Sequence, residues 1–97
     1  LDLAQAVYRM SGFVARRFAI PDRGFVRNAA IADLVVFDPA SVRDESTWDR
    51  PFAPSTGILS TYVHGVRVWH DGRSSGALPG RVVHRGVPLA DPPSDRR

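Results

Sequence analysis

Ninety-seven residues, 43% hydrophobic and 24% charged, fit one small globular domain with a thin core. The net charge of +3 rests on 13 basic side chains, all arginine, scattered from Arg9 to Arg97 in runs no longer than two, which argues against the clustered basic face of a nucleic-acid surface. No run approaches the ~20 apolar residues of a membrane helix, no secretory leader is legible and cysteine is absent, so the expectation is a cytoplasmic protein with no disulfide or thiolate metal site, no nucleic-acid partner and no membrane partner.

Taken in order, Leu3, Ala6, Val7 and Met10 recur at helical spacing, with Gln5 and Arg9 on the outer face. Ser11 offers an N-cap to a second helical turn that turns Phe13, Val14 and Phe18 inward and Arg16 and Arg17 outward, closing before Pro21. Residues 22–39, DRGFVRNAAIADLVVFDP, read as strand, tight turn and buried strand. Phe25 and Arg27 alternate with Val26, and Asn28 is expected to take the positive φ of the turn. The apolar run from Ala32 to Phe37, interrupted by Asp33 alone, ends at Asp38-Pro39.

Residues 40–54 are polar and read as a loop, with a helical turn near Ser41 to Asp44 and with Trp48 and Phe52 packed against the body. Residues 58–71 form the clearest hairpin. A two-residue His64-Gly65 turn sets Val63 opposite Val66, Thr61 opposite Val68 and Leu59 opposite His70. A last short strand is expected from Arg81 to His84, and a disordered tail over 87–97. The class is mainly β with N-terminal helices, an α+β arrangement.

Three stretches carry a family resemblance: MSGFVARRFAIPDRG (10–24), DRGFVRNAAIADLVVFDP (22–39) and YVHGVRVWHDGRSSGALPGRVVHR (62–85). Together they resemble the C-terminal part of the N-acyl-D-amino-acid deacylases, or D-aminoacylases, of the amidohydrolase superfamily. ADLVVFDP is shared with other amidohydrolases, such as the dihydropyrimidinases and imidazolonepropionases; the GALPGRV ending favours the deacylases. The chain departs from the family at Val14, where proline is common, at Ala19 and Ala29, where glycine is common, and at His64, where asparagine is common.

The resemblance implies the last helix of a (β/α)8 barrel and a linking helix over 1–21, the C-terminal share of a small β-sandwich over 22–86, and a tail over 87–97. It implies a zinc-dependent parent enzyme that cleaves N-acyl-D-amino acids to a carboxylate and a D-amino acid. Its active-site positions all lie before Leu1, so no catalytic, cofactor-binding or metal residue is assigned to this chain. The implied partners are the barrel and the N-terminal sandwich strands of the same protein. Without them the bare strand edge invites self-association. A free-standing β-rich binding module is the competing reading.

The residues themselves point the same way. His64, His70 and His84 are the neutral-pH bases, but a zinc site needs several ligands converging at ~2.0–2.1 Å, and a turn histidine and a strand-end histidine six residues apart do not meet that demand. Asp33, set in an apolar run, reads as an acceptor for backbone or arginine donors rather than a catalytic carboxylate. A His-Glu-x-x-His helix, a nucleophile elbow and a phosphate loop are missing.

Overall fold

A computed structural model describes residues 1–86. They fall into two units, one of Leu1–Ala32 with the residues from Arg81 onward, and one of Asp33–Gly80.

The first unit opens on helix α1 (Leu3–Met10). Asp2 Oδ1 accepts the Gln5 N–H at 2.8 Å and Gln5 Oε1 accepts the Asp2 N–H at 3.0 Å. This reciprocal capping box fixes the helix start, a role that helical periodicity alone did not give Gln5. Helix α2 (Gly12–Arg17) follows at once. Ser11 makes no side-chain cap to it; its hydroxyl instead donates to the Val7 carbonyl at 2.7 Å, closing the preceding helix. The expected inward face is also corrected. Gly12 and Ala15 are buried, whereas Phe13, Val14 and Phe18 are exposed. Small residues face inward because the neighbouring loop comes very close: a Cβ on Gly12 would lie 2.7 Å from the Phe25 ring.

No strand forms over 25–27. Asp22 (φ 64), Gly24 (φ 90) and Ala29 (φ 66) all occupy the left-handed region, which an extended ribbon excludes. The segment is instead a loop closed by the Ile31 N–H donating to the Asp22 carbonyl at 2.7 Å. The positive φ sits on Ala29, not on Asn28 as expected; the turn keeps its place and alanine bears the strain.

Ala19 is in the same position (φ 53). A left-handed alanine costs about 1–2 kcal/mol, offset on replacement by the ~0.4–1 kcal/mol of unfolded-chain entropy that glycine adds. Ala19→Gly and Ala29→Gly should therefore each stabilise their loop by about 0.5–1 kcal/mol. Amide exchange at Ile20, which donates to Ala15, and at Ile31, which donates to Asp22, should slow by about two- to fivefold. Unchanged or faster exchange would show that the two loops do not hold these alanines under strain.

The second unit is a four-stranded antiparallel sheet in the order β1 (Leu34–Phe37), β2 (Ile58–Val63), β3 (Val66–His70), β4 (Arg73–Ser74). The β2–β3 hairpin turns on His64 (φ 53) and Gly65 (φ 79), the two positive angles that a type I′ turn demands. Val63 faces Val66 as expected, but the register then slips. Thr61 pairs with Trp69 rather than Val68, and Ser60 with His70, leaving Val68 as a bulge. The shifted register is favoured by a bond available only in it, between Ser60 Oγ and His70 Nδ1 at 2.8 Å. A second irregularity between Val36 and Phe37 leaves Leu59 without a partner in β1.

The fourth strand is also not the expected one. Asp71 (φ 48) and Gly72 (φ 81) make another two-residue turn, and Arg73–Ser74 returns along β3. Ser75 extends this edge, its N–H donating to the Val68 carbonyl at 2.9 Å and its hydroxyl to the Arg67 carbonyl at 2.8 Å. Residues 81–84 form no strand, and His84 marks an isolated bridge. The expected tail over 87–97 lies outside the described residues.

Two packing expectations fail for one reason. Leu34, Val35 and Val36 are exposed rather than buried, and Trp48 and Phe52 are exposed at 101% and 95%. Among the described residues only Gly12, Ala15 and Ser60 are buried, so this sequence carries more apolar surface than its own described elements cover. The helical turn expected near Ser41 to Asp44 lies earlier: the Ser41 and Val42 N–H groups both donate to the Asp38 carbonyl, at 3.1 and 2.9 Å, and Arg43 is already in an extended bridge with Thr56.

Candidate functional site

Titratable side chains gather at the β2–β3 hairpin. At its turn, Asp33 Oδ1 accepts the His64 backbone N–H at 2.8 Å, tying the start of β1 to the turn. This is the backbone-acceptor role expected of Asp33. His64 Nδ1 is buried with no hydrogen-bond partner, a polar atom left unsatisfied at some cost.

At the other end, Ser60, His70 and Asp71 form a chain that sequence spacing did not show. Ser60 Oγ lies 2.8 Å from His70 Nδ1, and His70 Nε2 lies 3.2 Å from Asp71 Oδ2. Ser60 and His70 are directly opposed across the strands, and the two-residue turn brings Asp71 back beside the ring. The residue types are those of an acyl-transfer relay. Burial decides against that use, because Ser60 is only 6% exposed, leaving its oxygen no approach to a substrate carbonyl. The chain satisfies a buried hydroxyl and pins the shifted register.

Of the three histidines, His64 and His70 thus stand at opposite ends of the hairpin and His84 belongs to the other unit. Among the described residues no group of three or more His, Asp or Glu side chains could hold a metal ion. No helix among them is long and apolar enough to cross a membrane.

The first unit presents a cleft of about 330 Å³ whose lining includes Ala15, Ile20, Phe25, Arg16, Arg23 and Arg27. Arg16 Cζ lies 4.8 Å and Arg27 Cζ 5.2 Å from the Phe25 ring centre. Tyr8 adds its edge to the same cluster, 6.4 Å from Phe25 and 6.1 Å from Phe13. The cleft is a packing seam between α2 and the loop that follows it.

The chain is similar to a D-aminoacylase of Alcaligenes xylosoxydans xylosoxydans, 43% identical over 83 residues that make up 86% of this chain and 17% of that enzyme. It is similar over all 97 residues, at 39% identity, to an N-acyl-D-glutamate deacylase of the same organism, of which it covers 20%. A crystal structure of a D-aminoacylase described as defining a novel subset of amidohydrolases superposes with a TM-score of 0.83 at 44% identity, over 88% of this chain and 18% of that one. An N-acyl-D-glutamate deacylase from Bordetella bronchiseptica, solved with zinc and a phosphonate mimic of the tetrahedral intermediate, superposes with a TM-score of 0.70 at 42% identity, over 75% of this chain and 15% of that one. The chain thus spans about a fifth or less of the length of the proteins it matches. No protein-family model matches it.

Proposed function

We propose that this chain, a homologue of one segment of the D-aminoacylases and N-acyl-D-amino-acid deacylases, is the structural C-terminal share of a zinc-dependent amidohydrolase that releases D-amino acids from their N-acyl derivatives. One observation carries the reading: a sheet-and-helix segment at 44% identity and a TM-score of 0.83 accounts for 18% of a D-aminoacylase while leaving most of its own apolar side chains uncovered. In this reading Leu34, Val35 and Val36 belong to a β-sandwich completed by strands from elsewhere in the parent polypeptide, α1 is the last helix of its barrel and α2 is the linking helix.

The described residues do not fit a metal ion, and no step of the reaction is assigned to them. In the parent enzyme the ion would activate water and polarise the amide carbonyl, held by other parts of that polypeptide. What this chain supplies is ordered structure within each unit: the capped α1 and the closed 22–31 loop in the first, and the pinned hairpin in the second. Ser60 and His70 act there as a structural pair.

The test is a chimaera, the Alcaligenes D-aminoacylase with its matching segment replaced by this chain. Deacylation of N-acetyl-D-methionine should stay within about tenfold of the native enzyme, a shift of ~1.4 kcal/mol or less in the barrier. The 97-residue chain alone should release no D-amino acid. A folded chimaera without activity would sink the proposal. So would turnover by the isolated chain that is lost in His70→Ala or His84→Ala, which would put the chemistry on this chain itself.

A further inference from the structure

The turn between β3 and β4 holds the one Asp-Gly pair of the sequence, Asp71-Gly72, and its surroundings favour a reaction between the two residues. The Asp71 side chain is 72% exposed, and its Oδ2 lies 3.2 Å from His70 Nε2. A carboxylate only accepts, so in the neutral ring Nε2 carries the proton and Nδ1 takes the Ser60 hydroxyl at 2.8 Å. The Gly72 N–H enters no hydrogen bond among the described residues. Nothing lies within 4 Å of where a Gly72 Cβ would stand, which leaves the 71–72 peptide room to rotate. The other aspartates are placed differently. Each is followed by a residue that bears a side chain, and Asp2, Asp33, Asp38 and Asp44 each have an oxygen held by a backbone N–H.

We propose that Asp71-Gly72 is a self-modification site, at which Asp71 cyclises onto the Gly72 nitrogen and reopens as isoaspartate, with His70 delivering the proton that the departing oxygen needs. The reacting atoms sit in adjacent residues, so the step is intramolecular and needs no partner but water. The Gly72 nitrogen bonds to Asp71 Cγ and the Cγ–Oδ2 bond breaks. That oxygen leaves as water, carrying the amide proton and a proton from His70 Nε2, and solvent reprotonates the ring. Water then opens the cyclic imide. Attack at Cγ restores aspartate, whereas attack at the Asp71 main-chain carbonyl leaves the backbone running through Cβ and Cγ and sets the former main-chain carboxyl free. The isoaspartate form has the same mass and one more carbon in its backbone. The effect falls on β4, which is only Arg73–Ser74, paired as His70 with Arg73 and Trp69 with Ser74. A longer turn breaks that register and draws Ser75 away from the Val68 and Arg67 carbonyls, which its N–H and hydroxyl meet at 2.9 and 2.8 Å.

The test is prolonged incubation of the whole 97-residue chain at neutral pH in water enriched in heavy oxygen, followed by peptide mapping with fragmentation that distinguishes isoaspartate from aspartate. Each passage through the imide takes one oxygen from solvent, so label and isoaspartate should accumulate together at Asp71, about tenfold or more above every other aspartate of the chain. The isoaspartate form, once separated, should show about tenfold faster amide exchange at Ser75. His70→Gln keeps a polar side chain but transfers no proton, and it should slow labelling at Asp71 by about threefold or more. Free imidazole added to that variant should restore most of the rate, which a merely structural loss would not allow. Labelling led by another aspartate would overturn the proposal. So would a rate unchanged in His70→Gln, or a slowed rate that imidazole does not raise, because either removes His70 from the proton transfer.

Discussion

Replacing Gly57 with alanine is expected to destabilise the sheet unit by about 3–5 kcal/mol, through positive-φ strain and overpacking together. Gly57 has φ 82, and an added Cβ would lie 2.4 Å from Val42 Cα, 2.5 Å from Val42 N and 2.7 Å from the Ser41 carbonyl carbon. All three are backbone atoms, so no rotamer change relieves the clash. The 41–42 turn would have to move away, breaking the Asp38 N–H bond to the Gly57 carbonyl at 2.9 Å and the neighbouring Arg43–Thr56 pair. Hydrogen exchange reads this locally: the Asp38, Arg43 and Thr56 amides should lose about 100-fold or more in protection, and the thermal midpoint of the chimaera should fall. Protection equal to that of the parent would mean that the two backbones do not approach so closely.

Gly24→Ala should produce the corresponding failure in the helical unit, about 3 kcal/mol or more. Here φ is 90, and the new Cβ would lie 2.6 Å from Ala15 Cβ, 3.1 Å from the Ser11 carbonyl oxygen and 3.3 Å from Gly12 Cα. The two causes can be separated. Ala15→Gly removes the nearest atom but leaves the backbone angle unfavourable, so the Gly24→Ala/Ala15→Gly double variant should recover part of the loss and not all of it. The coupling term of a double-mutant cycle measures the steric share. Full recovery would assign the whole effect to crowding, and no recovery would assign it to φ.

Much of this protein was legible in the order of its residues, and the reasons are local. The α1 spacing of Leu3, Ala6, Val7 and Met10 is a one-turn repeat that any apolar surface reinforces. His64-Gly65 makes a hairpin because both residues tolerate positive φ, and the turn sets the nearest pair, Val63 with Val66, before any distant contact acts. The kinship was likewise contained in the ADLVVFDP and GALPGRV stretches, and the 38–43% identities agree with it.

Other features were decided only in three dimensions. A single bulge at Val68 changed the partner of every β2 residue beyond it, since pairing is counted by backbone bonds and not by side-chain alternation. Ser60 and His70 therefore met, and neither residue type nor separation announced it. Asp22, Gly24 and Ala29 together turned an alternating segment into a closed loop, because backbone angles override a two-residue period that no partner strand rewards. Burial was the least legible property of all. Val35, Val36, Trp48 and Phe52 have the composition of a core, yet whether a side chain is covered depends on what lies across from it, and apolar character alone carries no information about that.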